Sequence, residues 1–489
     1  MTSWGKNPII YEINTWVWLH ELSQKNERRM TLATVSENEW NSIADLKIDA
    51  VWLMGVWERS PASIGINLSR QDLQDEFHRV LPDYSPEDVV GSPYCVRAYA
   101  VDKRLGGSEG LAIARKALSK RGIRLILDFV PNHVAHDHAW VLGHPEYFIQ
   151  GDVDDLGRYP GSFYEVNGRI FACGRDPYFP PWTDVLQLNV FYPGLRGEVI
   201  KTISGIAEQC DGIRCDMAML VMNDIFKWTW GFRAGTRPEK EYWHEVIQMV
   251  RNRYSEVVFI AEAYWDLEWE LQQQGFDFCY DKRLYDRLLH DNAESVRLHL
   301  LSDLTYQDKL VRFIENHDEP RSASIFSPEK ERAAAMTIAT LPGAKLLHEG
   351  QLEGRKTKVP VQVRRRPAEM ADTDLQAFYH KLLKAVKKEE LLNGEWSLCE
   401  RSGWPDNQSY LNLVAWCWRS GPTCHLIVMN LSDSTSQGIV RLPWDELKGR
   451  VLKMDDVMSG EVFKRSGDER SEQGLYVDLK PWGYHFLRF

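Results

Sequence analysis

Asp128-Phe129-Val130-Pro131-Asn132-His133 is the stretch on which the reading of this chain turns. It closes the run Ile123–Val130, which is apolar or β-branched at nearly every position and then delivers polar groups. A strand without polar alternation is covered on both faces, as strands of a parallel sheet are. Three later segments repeat the design: Gly212-Ile213-Arg214-Cys215-Asp216, Phe259-Ile260-Ala261-Glu262 and Glu315-Asn316-His317-Asp318. Strands that carry carboxylates, His and Arg at their carboxyl ends describe an α/β chain folded as a (β/α)₈ TIM barrel, whose chemistry gathers at that end.

Working outward, the other strands are Ile9–Ile13, Ala50–Met54, Ile213–Asp216, Val257–Ala261, Phe276–Tyr280, Leu310–Ile314 and Lys345–His348, which with Ile123–Val130 make eight. Helical patterns separate them, the βαβ signature of a parallel sheet. One stands at Asn38–Leu46. Ser108–Arg121 is another, with Leu111, Ala114, Ala117 and Leu118 on one stripe, Ser108 as candidate N-cap and Gly122 as candidate C′ residue. The stretch from Val134 to Gly194 is too long for a single crossover and rich in Gly, Pro, Asp and aromatics, so it is expected to be an excursion subdomain over the strand ends. After Lys388 short strands replace helical periodicity: Leu411–Trp418, His425–Asn430, Gly438–Leu442, Arg450–Met454 and Leu475–Leu479. An antiparallel β-sandwich is expected there. The expected division is 1–133 with 195–387 for the barrel, 134–194 for the excursion and 388–489 for the sandwich.

A chain of 489 residues exceeds one compact core. A net charge of −11, with no basic run longer than Arg364-Arg365-Arg366, argues against a nucleic-acid surface. No stretch approaches the ~20 apolar residues of a membrane span, and the N-terminal residues show no apolar signal segment, so the expected location is cytoplasmic. None of the eight Cys forms a CxxC pair, and buried free thiols are expected rather than disulfides or zinc. Nineteen Trp mildly favour a site that stacks on sugar rings, although any single Trp is more often core.

Asp216 and Glu262 end neighbouring strands, which lie ~5 Å apart. Carboxylates at that spacing suit a retaining glycosidase, one as nucleophile and one as acid/base. Arg214, two residues before Asp216, shares its face and is expected to lower the Asp216 pKa. Asp318, beside His317, can grip sugar hydroxyls more tightly in an oxocarbenium-like transition state. A single carboxylate is usually a surface ion pair or a helix cap; four matched strand ends together are not explained that way. No HxH or HExxH spacing indicates a metal.

These four segments resemble, in order, the four signatures of the α-amylase superfamily, glycoside hydrolase family 13, and the likeness runs nearly end to end. The resemblance implies Asp216 as nucleophile, Glu262 as acid/base and Asp318 as transition-state stabiliser, with His133, Arg214 and His317 holding the sugar before the cleaved bond. Gly91-Ser92-Pro93-Tyr94 resembles the segment whose Tyr stacks on that sugar, Gln187-Leu188-Asn189 an auxiliary signature, and Pro481-Trp482-Gly483-Tyr484 the last strand of the C-terminal sandwich. It implies short α-glucans or oligosaccharides as substrate, with no cofactor. The alternatives are a transglycosidase using the same residues, or a non-catalytic binding relative, which would typically lack one of the three carboxylates. There are departures. Where many members have Ala-Lys-His after the nucleophile, this chain has the apolar Met217-Ala218-Met219-Leu220; Cys95 follows Tyr94 in place of Asp; Thr15–Lys25 carries no Asp-rich calcium loop. Asn132 matches a calcium-ligating position without an evident partner set, so neither a metal requirement nor strong action on long starch is expected.

Overall fold

The computed structural model of the chain describes residues 4–388, 391–444, 451–466 and 474–489. Eight parallel strands close into a barrel in sequential order: β1 (Ile9–Asn14), β2 (Ala50–Met54), β3 (Arg124–Phe129), β4 (Gly212–Cys215), β5 (Val258–Ala261), β6 (Phe278–Tyr280), β7 (Leu310–Arg312) and β8 (Ala344–His348), with β8 paired back to β1. All eight expected strands are present, with ends that differ from the expected bounds by two residues at most.

Period two along these strands decides what reaches the site. On β3, Leu125, Leu127 and Phe129 pack outward with the surrounding helices, whereas Ile126 packs into the barrel interior with Trp52, Ile260 and Leu346. Asp128 shares the inward face with Ile126, as Arg214 does with Gly212 and as Glu262 does with Val258 and Ile260. Both faces are therefore dry, which is why the sequences look continuously apolar. Each fully buried Leu, Ile or Val contributes roughly 1.5–3 kcal/mol. Gly212 is glycine for a packing reason: a Cβ there would lie 2.8 Å from the Trp4 ring, which plugs that region.

The helix expected near 108 spans Gly107–Ser119. Its stripe is buried, but Ser108 does not cap it; Gly106, in the left-handed region, occupies the N-cap without a side-chain bond. The chain enters through a tight Gly106-Gly107 turn that leaves Ser108 already inside the first helical turn. Gly122 does terminate it: its N–H reaches Ser119 O at 3.0 Å, Ile123 N–H reaches Leu118 O at 3.1 Å, and its φ is +72°.

After β3 the chain forms a four-stranded sheet from His133–Ala135, Phe163–Val166, Arg169–Gly174 and Trp182–Gln187, and it re-enters the barrel through the helix Pro193–Ala207. A second insertion went unrecognised in the sequence. Between β2 and β3 lie the helices Pro61–Ser69 and Gln71–Val80. The C-terminal region forms antiparallel sheets of six and three strands. Beyond the expected strands they contain Glu395–Leu398, Glu400–Ser402 and Val462–Ser466, short pieces whose alternation is too brief to read, and the last strand that the resemblance implies runs over Tyr484–Arg488. The expected Arg450–Met454 strand is seen as Val451–Asp456, Arg450 lying outside the described residues. This sheet is tied to the barrel by Trp418 Nε1, which donates to Thr340 O at 2.7 Å. Among the described residues no helix is long and apolar enough to cross a membrane, and all eight Cys are buried and outside any disulfide.

Candidate active site

The register of β4 and β5 pairs Cys215 with Ala261, so Asp216 and Glu262 are the next residues out on adjacent strands. Arg214 holds both. Its Nη1 donates to Asp216 Oδ1 at 2.8 Å, and its Nη2 lies 2.7 Å from Glu262 Oε2 as a close ion pair. The guanidinium is itself buried, stacked 5.0 Å from Trp52 and 5.2 Å from Tyr94. Glu262 further accepts the backbone N–H of Met217 at 2.6 Å and the Tyr264 hydroxyl at 3.0 Å. A carboxylate with that many donors is fixed in direction before any ligand arrives.

The expectation that Arg214 lowers the Asp216 pKa is corrected. Burial and the Glu262 carboxylate outweigh the guanidinium, and the Asp216 carboxyl is held well above its ordinary range. Two carboxylates on one cation form a pair whose protons belong to both. Asp128 sits behind them, taking the Trp52 indole N–H at 3.0 Å and the Gly55 N–H at 3.4 Å, and burial pushes it up to about 6.

On the β7 side, Asn316 Oδ1 accepts the N–H groups of Asp318 and Glu319, both at 2.9 Å, and so shapes the turn that presents Asp318. His317 lies 2.5 Å from Glu12 Oε1 through Nδ1 and 2.9 Å from Asp318 Oδ2 through Nε2. Burial works against the imidazolium, but Asp318 and Glu12 overcome it and raise the His317 pKa well above its ordinary value. Asp318 keeps 43% of its side chain exposed, and although burial opposes ionisation, His317 holds its carboxyl well below the usual range. Tyr94 stacks on His317 at 5.4 Å and bonds its ring through the hydroxyl at 2.6 Å.

His133 meets a different setting. Its ring lies 5.2 Å from Trp182, and its Nδ1 is 3.3 Å from the Asn132 amide. Burial without a carboxylate lowers its pKa to about 4. Asn132 is clamped by Gln187, with amide bonds at 3.1 Å and 2.8 Å in opposite directions. Among the described residues no group of three His, Cys, Asp or Glu is placed to hold a metal ion.

Tyr94, His133, Asp216, Glu262 and Asp318 line one cavity of about 320 Å³. Arg214 and His317 lie directly behind it, in contact with those side chains. The structure thus brings together all seven residues singled out in the sequence. A larger depression, about 520 Å³ near Trp4 and Arg253, holds no such convergence; its Asp211 is engaged by Arg115 at 2.5 Å. The apolar run after Asp216 divides. Ala218, Met219 and Leu220 are buried in the wall, while Met217 lines the cavity.

No family model matches the chain. The α-amylase MalA of Haloarcula japonica is 23% identical over 451 residues, covering 89% of this chain and 57% of that protein. α-Amylase 3 of Dictyoglomus thermophilum is 22% identical over 393 residues, 77% of this chain and 70% of that one. The crystal structure of a maltogenic α-amylase from Thermotoga neapolitana superposes with a TM-score of 0.69 at 19% identity, covering 99% of both chains. In sequence this chain is similar to α-amylases, and in fold to a solved one. It spans little more than half the length of its haloarchaeal relative.

Sequence reading missed Glu12, Tyr264 and the insertion between β2 and β3. Glu12 had a signal: a lone carboxylate inside Ile9–Asn14, a strand buried throughout, demands a partner. Tyr264 had none beyond its place two residues after Glu262.

Proposed function

We propose that the protein is a retaining α-glycosidase of α-glucans or short α-linked oligosaccharides. The observation that carries the reading is the Asp216–Arg214–Glu262 bridge at 2.8 and 2.7 Å across strands in register. Retaining enzymes place their two carboxyl groups ~5–5.5 Å apart, which adjacent strands ~4.8 Å apart supply, leaving no room for an intervening water.

In this reading Asp216 attacks as the carboxylate while Glu262 acts as the acid. Asp216 bonds to the anomeric carbon while the glycosidic C–O bond breaks and Glu262 gives its proton to the leaving oxygen. Water then adds to the same carbon, gives a proton to Glu262 and releases Asp216. Asp318, kept ionised by His317, grips ring hydroxyls most tightly as the oxocarbenium-like state forms. Tyr94 supplies an apolar face to the sugar, and neutral His133 a polar contact.

The test is stereochemical. Proton NMR of the first-formed sugar from an α-glucoside is expected to show the α-anomer, with the β-anomer growing only by mutarotation. A β-anomer appearing first rules out this pairing of residues.

A second reading, transfer to a sugar in place of water, has one observation in its favour. Exposed Tyr178 and Trp228 and half-buried Trp265 form an aromatic group, with rings 5.3 and 4.8 Å apart, and Trp265 stands three residues after Glu262 with φ +65°. Strained non-glycine backbone beside a site is characteristic of a functional constraint, and such rings stack on an acceptor sugar. Oligosaccharides longer than maltotriose in its digest would favour transfer, and glucose with maltose and no longer product hydrolysis.

A further inference from the structure

We infer that the cleft is closed on the side away from the leaving group, so that the protein removes one glucosyl residue at a time from the non-reducing end. The inference rests on the glycosidase reading above and adds the mode of attack to it.

The barrel order sets the sides. β1 lies opposite β5, flanked by β2 and β8. Asp216 and Glu262 follow β4 and β5, and Met217 and Tyr264 line the cavity beside Glu262. An acid protonates the departing oxygen, so the leaving group lies on that side. The remainder of the substrate, on the non-reducing side, points toward the loops after β2 and β8. There Asn67, Arg70 and Leu73, from the helical insertion after β2, line the same cavity, together with Gln362 from the segment after β8.

These two segments are stitched into one wall. Val90 N–H donates to Gln362 O at 2.8 Å, and Val89 forms a bridge with Val363. Phe77, Leu81, Val89 and Val363 make a small core of their own beneath the wall. Arg365, two residues past Val363, clamps Asp88 at 2.8 Å and Asp83 at 3.0 Å. The insertion also joins the excursion sheet, where Ser63 Oγ donates to Asp184 Oδ2 at 3.2 Å. A glucan threading through the site would have to part these bonds.

The wall also offers polar groups. Asn67, Arg70 and Asp184 line the cavity, with Arg70 oriented by Asp72 at 3.1 Å. A terminal glucosyl residue has a free 4-hydroxyl that an internal residue has lost to the next glycosidic bond. A site built to bond such a hydroxyl rejects a ligand lacking it by as much as ~10⁴-fold. The volume of about 320 Å³ is at the low end of the roughly 300–1,000 Å³ of small-molecule sites, which suits one sugar ring on this side.

The experiment uses maltoheptaose labelled at its reducing end, alongside the same chain with its terminal 4- and 6-hydroxyls tied in an acetal. The expected result is a labelled ladder that shortens by one residue at a time with unlabelled glucose released. The blocked chain should show kcat/KM lower by at least about 100-fold. Labelled fragments of mid-chain length appearing first, or equal rates on the two chains, overturn the inference and leave the glycosidase reading standing. No turnover of either chain, nor of any small α-glucoside, removes the glycosidase reading and this one with it. Trimming the wall with Arg70→Ala and Leu73→Ala together should reduce the preference for the free chain at least about tenfold. An unchanged preference in a folded double variant refutes the wall as the barrier. If that variant does not fold, the wild-type ladder still decides.

Discussion

Two histidines, one lining the cavity and one directly behind it, are held in opposite states. His317 lies between Glu12 and Asp318 and is driven toward the imidazolium. His133 lies among Trp182, Asn132 and the clamped Gln187, with no carboxylate, and its pKa falls to about 4. Both are buried to a similar degree, 4% and 5% exposed, so burial alone does not set charge. The partner does. His136 and His138, further along the same excursion, are also lowered to about 4 by burial. The β4, β5 and β7 side holds Arg214 with Asp216, Glu262 and Asp318. A glycosyl transition state gains positive charge, so one wall answers with carboxylates and the other supplies shape and neutral hydrogen bonds.

The sharpest way to break this division is to remove the proposed nucleophile from the charged wall. Asp216→Asn should lower kcat by roughly 10⁴–10⁶-fold, as deletion of a covalent catalyst does. Its melting temperature should stay near or above that of the wild type, because a buried carboxyl with a raised pKa gains little by being ionised. A variant keeping a tenth of the activity would place the nucleophile elsewhere.

Glu12→Gln comes next in size. It strips His317 of one partner in a place with no water to replace it, and breaking a buried pair costs about 3–5 kcal/mol. A histidine whose folded pKa is raised contributes stability that is complete below its unfolded value near 6.5 and fades as pH climbs through the folded value. The gap in melting temperature between wild type and variant should therefore be wide at pH 6 and narrow toward pH 10. A gap independent of pH would mean that Glu12 only fills space.

His133→Gln tests the neutral wall with the sign reversed. A histidine lowered to about 4 stays neutral in the fold while the unfolded chain takes up a proton below about 6.5. The wild type therefore loses stability as pH falls from 6.5 to 4, by about 3 kcal/mol at most for this residue. Asp128, raised to about 6, contributes the opposite slope over part of that window, but it is present in both proteins and cancels in their difference. Urea titrations at pH 7 and pH 4 should show the variant catching up with the wild type on acidification. Parallel losses would show that His133 is already charged in the fold.

Much of this was legible in the sequence because barrel strands carry their chemistry at a fixed place. The inward face of β3, β4 and β5 puts Asp128, Arg214 and Glu262 on a period-two pattern that a linear reading recovers. What stayed hidden depends on contacts between distant segments. Glu12 and His317 are 305 residues apart. The insertion Pro61–Val80 is helical and amphipathic, but nothing local says that it leans on Val363 and lines the cleft. The charge state of Asp216 also misled. A linear reading sees Arg214 two positions away but not the burial and the second carboxylate that outweigh it. Ser108 failed as a cap because the Gly106-Gly107 turn puts the N-cap two residues earlier than the polar pattern suggests.

The smallest effect is expected at Met217, on the seam between the walls. Its backbone has φ +39°, in the left-handed region that costs a β-carbon residue about 1–2 kcal/mol. The reason lies in the main chain: that conformation carries the Met217 N–H to Glu262 Oε2 and the next N–H, of Ala218, to Glu262 O at 3.0 Å. The side chain lines the cavity but brings no donor to it. Asn tolerates this backbone region better than Met, so Met217→Asn should preserve both hydrogen bonds, leave the melting temperature unchanged or slightly higher, and change kcat/KM on small α-glucosides less than about tenfold. A polar side chain there should act mainly on the leaving group, shifting preference among maltose, maltotriose and aryl glucosides by a few-fold. A uniform hundredfold loss on every substrate would show that the thioether itself holds the reacting sugar, and the division between a charged wall and a wall of shape would then have to extend across the seam to residue 217.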